Sequence, residues 1–232
     1  MEIDKFVINL PSRMDRRCEM EHQLRLVGWE DAHFFAAVRR DELCGFPSAG
    51  AHGCFLSHLE VLRRARGRPI LIMEDDLNFS NDFPIRWQEA LSALPDDWSI
   101  FYPGHYNSLP QGLTVLDPNE GMLCAHFMMI NRDAVPAIVQ GLEAILSRTP
   151  GHPDGGPQHV DGAYSTIRKQ NPQLKTYIHG PSLGYQRRSR SDISRSKWFD
   201  RFSALSPIVA TARRAKRYFI GQDIKSSTSP NR

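Results

Sequence analysis

The chain has 232 residues, 41% of them apolar and 24% charged, and a net charge of +3. That is enough for one sizeable core, and it is the composition of an ordinary globular protein. No run nears the roughly 18 apolar residues of a membrane span. The acid-bearing start MEIDKFVINL does not read as a secretory signal. Cys18, Cys44, Cys54 and Cys124 form no CxxC pair and show no metal-ligand spacing, so they read as reduced thiols of a cytoplasmic protein.

Charge is unevenly placed. Residues 187–217 hold ten Lys/Arg against two acids, Asp192 and Asp200, and so carry +8. Residues 218–232 add +1, which leaves −6 for residues 1–186. A mildly acidic body therefore precedes a strongly basic tail.

In chain order, KFVINL (5–10) has the apolar continuity of a buried strand. Pro11-Ser12 breaks it, and RMDRRCEMEHQLRLVG follows with helical spacing: Met14, Cys18 and Leu24 on one side, Gly28 as stop. HFFAAV (33–38) predicts a second strand, and HGCFLSHLEVLRRAR a helix closed by Gly67. PILIM (69–73) is the most hydrophobic strand, as a central parallel strand should be. A helix is expected around 83–94, then strands at 98–102, 113–116 and 123–130. Asn131 or Asp133 is expected to cap a helix ending near Ser147, with Pro136 in its first turn. A Gly/Pro-rich loop (151–159), a helix from about Asp161 to Gln170 and a strand over 174–179 complete an α/β sheet with crossovers.

The central strand runs straight into Glu74, Asp75 and Asp76 with no Lys or Arg among them. In open α/β sheets, ligands bind beyond the carboxyl ends of the strands. Hard carboxylate oxygens there suit Mg²⁺ or Mn²⁺, which bridge protein acids and phosphates and would supply the missing positive charge. The competing reading is a solvated turn whose acids cap the next helix. Arg13, Arg16 and Arg17 follow the first strand at the same edge, where bidentate guanidinium suits a pyrophosphate. The competing reading there is a solvated helix face. Ser57 and His58 sit on a helix of otherwise apolar spacing, facing either the core or a ligand.

FVINLPSRMDRR, GAHGCFLSHLEVLRRA, PILIMEDDLNF, HFMMINRDAVPAIV, VDGAY and GPSLGYQRRSRSDI follow one another in an order that resembles glycosyltransferase family 25. That family includes bacterial lipooligosaccharide galactosyltransferases and the collagen galactosyltransferase domain. The resemblance spans residues 5–193 and departs from the pattern at His52, where an aliphatic residue is expected, and in the short connection between the third strand and LCAHFMMI. It implies a single GT-A-like α/β domain over 1–196, with a mostly parallel central sheet flanked by helices. It also implies inverting transfer of a sugar, typically galactose, from a nucleotide sugar such as UDP-galactose to a glycan or lipid-linked glycan acceptor. Glu74-Asp75-Asp76 stands where related enzymes carry Asp-x-Asp, so the implied Mn²⁺ or Mg²⁺ falls to Asp76 and Glu74. Glu74 or Asp75 would make a ribose or water-mediated contact. Asn9, Arg13, Arg16, Ser57, His58, Gln186 and Ser191 fall to the donor site. Asp161 is the candidate base, although a helix N-terminus favours its ionised form; the competing reading is a plain helix cap. Asp192 is its rival.

In the tail, Ser206-Pro207 followed by IVATARRAKRYFIG predicts a basic helix, and 222–232 a disordered end, so 197–232 is expected to stand apart from the catalytic domain. With Trp198, Phe199 and Phe202 upstream, the tail is suited either to peripheral contact with an anionic membrane or to packing on the body. Two rivals remain: a phosphohydrolase using the same carboxylates, and a basic-tailed nucleic-acid-binding protein. The acidic body and the lack of a nucleic-acid motif weigh against the second.

Overall fold

The structure, a computed structural model, describes residues 1–187. Its elements are β1 (Asp4–Asn9), α1 (Met14–Leu26), β2 (His33–Ala36), α2 (Ala49–Leu62), β3 (Ile70–Glu74), β4 (Leu77–Phe79) and α3 (Phe83–Ala93). They continue with β5 (Ile100–Tyr102), β6 (Gly112–Leu116), β7 (Phe127–Ile130), α4 (Val135–Ser147), α5 (Val160–Gln170), β8 (Thr176–Gly180) and β9 (Gly184–Gln186).

Seven strands form one sheet in the order β2-β1-β3-β7-β5-β8-β6. β2, β1 and β3 are mutually parallel, β5 and β8 share their direction, and β7 and β6 run against it. This is the expected α/β arrangement, a mostly parallel central sheet flanked by helices.

Alternation along the strands divides the core. Val7, Leu71 and Met73 pack with Met20 and Leu24 of α1 and with Phe83 and Trp87 of α3. Ile8, Ile70 and Ile72 pack on the other face with Phe55 and Leu59 of α2, Ile138 and Leu142 of α4, and Tyr164 and Ile167 of α5. Each such side chain removed from water contributes about 1.5–3 kcal/mol. Covering on both faces is why β3 is continuously apolar rather than alternating.

Three local expectations are corrected. The buried side of α1 is Met20 and Leu24, whereas Met14 and Cys18 are exposed. α2 begins at Ala49, where the Ser48 hydroxyl accepts from Ala51 N at 3.0 Å, and it stops at Leu62, well before Gly67. Neither Asn131 nor Asp133 caps α4; the N-cap is Ala134, and the Asn131 amide donates to Trp98 O at 2.8 Å instead. β4 and β9 were not expected. They pair antiparallel as a separate ribbon, Leu77 opposite Gln186, which turns the chain after the acidic run back toward it.

The expected boundary at 196, the basic helix, the disordered end and the membrane contact all lie outside the described residues. Among the described residues no helix is long and apolar enough to cross a membrane.

Candidate functional site

Parallel pairing brings three strand ends together. Asn9 is in register with Ala36, and Ile8 with Glu74, so the segments after β1, β2 and β3 leave the sheet at one edge. Between them lies a cleft of about 440 Å³, lined by four arginines (Arg13, Arg16, Arg39, Arg40) and four acids (Asp41, Glu74, Asp75, Asp76). α2 closes one wall, and its approach depends on Gly53. A Cβ there would stand 2.3 Å from Val38 O. The Ser57 hydroxyl completes the joint, donating to Gly53 O at 2.7 Å and accepting from Val38 N at 2.8 Å.

The three adjacent acids have different partners. Asp75, 6% exposed, accepts from Asn9 Nδ2 at 2.8 Å and from Arg16 Nη1 at 2.8 Å. Asp76 Oδ2 is 3.6 Å from the same Arg16 nitrogen. Gln186 Nε2, delivered by the β4–β9 ribbon, donates to Glu74 Oε2 at 3.2 Å and to Asp76 Oδ1 at 3.4 Å. Arg187 ties the turn from behind, donating to Asp75 O at 2.6 Å and Asn78 Oδ1 at 2.8 Å. The acidic run therefore does not lack protein cations, as the local sequence suggested. Arg16 meets part of its charge, and it arrives from α1.

The balance left over is visible in the protonation of the acids. Burial, then the charge of Glu74, push the Asp76 carboxyl up to about 7 against the pull of Arg16. Burial also raises Glu74, but His58, with the charges of His126 and Arg16, outweighs it and brings that carboxyl below its ordinary value. One amide donor thus touches two carboxylates, of which one is held ionised and the other is reluctant to ionise beside it. A divalent cation fits this pair, since it would relieve the repulsion that raises Asp76.

Behind the cleft wall, Glu74 Oε1 faces α2. His58 Nε2 lies 3.7 Å away, within ion-pair range but beyond a hydrogen bond, and Cys54 Sγ is at 4.0 Å. One ligand atom each from Cys54, His58 and Glu74 lies within 4.8 Å of the other two, a grouping that the cysteine spacing alone did not reveal. Asp161 stands at the start of α5, and its charge is felt by Cys54. Burial raises its carboxyl to about 6, against the Gly162 N–H that donates to Oδ1 at 2.8 Å. The sign is opposite to the one expected from the helix N-terminus alone, because desolvation outweighs one backbone donor. Nor is Asp161 the cap of α5, which is His159.

Of the donor-site candidates, Arg13, Arg16, Ser57, Glu74, Asp75, Asp76 and Gln186 line the cleft. Asn9 is buried beneath it as a brace on Asp75, and the Ser57 hydroxyl is engaged with backbone on both sides. Arg13 also pairs with Asp15 at 2.8 Å. His58 is fully buried, with Nδ1 3.2 Å from the Tyr164 hydroxyl. Ser191 and Asp192 lie outside the described residues. Sequence reasoning passed over Arg39 and Arg40, although they follow the second strand as Arg13 and Arg16 follow the first. It also passed over Cys54 and Arg187.

No protein-family profile matches the chain, and no curated protein matches it. Among solved structures it is similar to a Drosophila β-1,4-galactosyltransferase 7 mutant in complex with manganese, UDP-Gal and xylobiose. Identity there is 9%, over 85% of this chain and 76% of that chain, with a TM-score of 0.48. Mouse xyloside xylosyltransferase 1 in its apo form shows 11% identity over 83% of this chain and 100% of that chain, TM-score 0.45. A glycosyltransferase involved in glycosylation of the major capsid of PBCV-1 shows 11% identity over 76% of this chain and 92% of that chain, TM-score 0.35. Likeness at this level concerns chain arrangement, so the reading of the site rests on its own residues.

Proposed function

We propose that this protein is a metal-dependent glycosyltransferase that moves a sugar from a nucleotide donor to a hydroxyl of a glycan acceptor. The observation that carries this reading is the convergence of Glu74 and Asp76 on one amide, Gln186, at the carboxyl edge of a parallel sheet, beside four cleft-lining arginines. Carboxylates that share a cation, next to guanidiniums, suit a nucleoside diphosphate. The resemblance to family 25 narrows the proposal to inverting transfer, UDP-galactose as donor and a lipooligosaccharide-type or lipid-linked glycan as acceptor.

Asp76 and Glu74 would hold Mn²⁺ or Mg²⁺, which when bound supplies positive charge for the leaving diphosphate. The chain's own groups do the rest. Arg16 orients Asp75 and Asp76 together, and Asn9 braces Asp75 from beneath. Arg13, Arg39 and Arg40 offer guanidiniums to the phosphates. Asp161 takes the acceptor hydroxyl's proton, and with its carboxyl raised to about 6 it is a stronger base than an ordinary aspartate.

Calorimetric titration of UDP and UDP-galactose into the full chain, with and without Mn²⁺, tests the reading. Binding that requires the ion and is lost in Asp76→Asn is expected, together with UDP release that depends on an added glycan acceptor. Ion-independent binding, or none, would overturn it.

A further inference from the structure

Glu74 has two faces. Its Oε2 is turned to Gln186 on the cleft side, and its Oε1 to α2, where Cys54 and His58 stand one helical turn apart. The Cys54 sulfur, the His58 ring nitrogen and the Glu74 oxygen all lie within 4.8 Å of one another. Glu74 Oε1 is 3.7 Å from His58 Nε2 and 4.0 Å from Cys54 Sγ. In a tetrahedron built from Zn–N and Zn–O bonds of about 2.0–2.1 Å and a Zn–S bond of about 2.3 Å, the corresponding edges are about 3.4 and 3.6 Å. A few tenths of an ångström of closure separate the observed triangle from a ligand face.

A second observation points the same way. His58 is completely buried, and its Nε2 has no hydrogen-bond partner among the described residues. A buried polar nitrogen left unmatched costs about 1–3 kcal/mol, so it calls for an explanation. The opposite nitrogen, Nδ1, sits 3.2 Å from the Tyr164 hydroxyl. Without an ion, the Nε2 side of the ring faces the Glu74 carboxylate as a donor; with an ion bound, the ring would take the other tautomer, Nδ1–H donated to the Tyr164 oxygen and the Nε2 lone pair turned to the metal. Metal-bound histidines are characteristically held this way, with a fixed tautomer and the second nitrogen hydrogen-bonded. Cys54 also reaches the cleft wall, which provides a path for an ion.

We infer that Cys54, His58 and Glu74 form a binding site for a borderline-soft divalent ion of the Zn²⁺ class, distinct from the oxygen-ligand pair on the other side of Glu74. Thiolate and imidazole select Zn²⁺ or Co²⁺ over Mg²⁺ and Mn²⁺, whereas Glu74 Oε2 with Asp76 has the opposite preference. Binding forms the metal–sulfur bond and breaks the Cys54 S–H bond, whose proton leaves to solvent. Three protein ligands leave the fourth position open, as in zinc sites that bind a small molecule. The inference stands on this geometry whether or not the protein transfers sugars.

Co²⁺ titration of the full chain in a Cys18→Ser/Cys44→Ser background, which removes the two exposed thiols, tests it. One equivalent should give a thiolate-to-cobalt charge-transfer band that Zn²⁺ displaces. Cys54→Ser should abolish the band, and His58→Gln should weaken binding by at least about tenfold. A well-folded parent without the band, or a band that persists in Cys54→Ser, overturns the inference. Should Cys54→Ser fail to fold, alkylation of Cys54 in the parent, read by mass spectrometry with and without Zn²⁺, decides: protection supports the site and undiminished labelling overturns it. Asp76→Asn separates the two readings, because it should lose Mn²⁺-dependent UDP binding and keep the cobalt band.

Discussion

Arg16 Nη1 lies 2.8 Å from Asp75 Oδ1, and the same nitrogen lies 3.6 Å from Asp76 Oδ2. One guanidinium from the first turns of α1 therefore links two carboxylates at the end of β3. Asp75 is otherwise held by the Asn9 amide and has little access to water.

Removing this cation should leave a buried carboxylate with an amide as its remaining side-chain partner. Arg16→Met is expected to destabilise the fold by about 3 kcal/mol, as measured by urea unfolding. Adding Asp75→Asn should recover part of the loss, and that non-additivity is the signature of a direct pair. Additive single-variant losses would show that Arg16 acts elsewhere.

At Gly53, any side chain meets the Val38 carbonyl at 2.3 Å, and backbone cannot give way as a flexible side chain can. Gly53→Ala should cost about 1–3 kcal/mol and push α2 off the end of β2. Nucleotide affinity should fall as well, since Val38 and Ser57 belong to the cleft wall. An unchanged melting temperature would contradict this account of the joint.

Protons and divalent ions should compete for Asp76, whose carboxyl stands at about 7. Mn²⁺ affinity should therefore fall by up to about tenfold per pH unit below that value and level off above it. Calorimetry at pH 6, 7 and 8 reads this directly. Asp76→Asn should remove both the affinity and its slope.

Asp161 makes a prediction of opposite chemical use. Its carboxyl is raised from 3.8 to about 6, so the neutral form is favoured in the folded chain. That contribution is complete below about pH 4 and is lost as pH rises through about 6. Between pH 4 and 8, the stability of Asp161→Asn relative to the parent should thus improve by up to about 3 kcal/mol. The same variant should lose at least about a hundredfold in transfer rate with UDP binding intact, if Asp161 is the base. Equal pH profiles for parent and variant would remove the burial argument.

Much of this molecule is written locally. Ile70–Met73 reads as a buried central strand, HGCFLSHLEVLRRAR carries the helical spacing of α2, and the acids after β3 fall at the ligand edge of a parallel sheet. These features follow from periodicity, side-chain volume and strand direction, all of which act over a few residues. What tertiary structure alone decided is how those acids differ. β4 and β9 are three residues each, too short to leave a periodic signal, yet their pairing carries Gln186 to Glu74 and Asp76. Arg16 takes Asp75 rather than solvent, burial reverses the shift expected for Asp161, and the closure of α2 on β3 turns Cys54, His58 and Glu74 into neighbours. Desolvation and ion pairing depend on which distant segments exclude water from a group, and no short stretch of sequence contains that information.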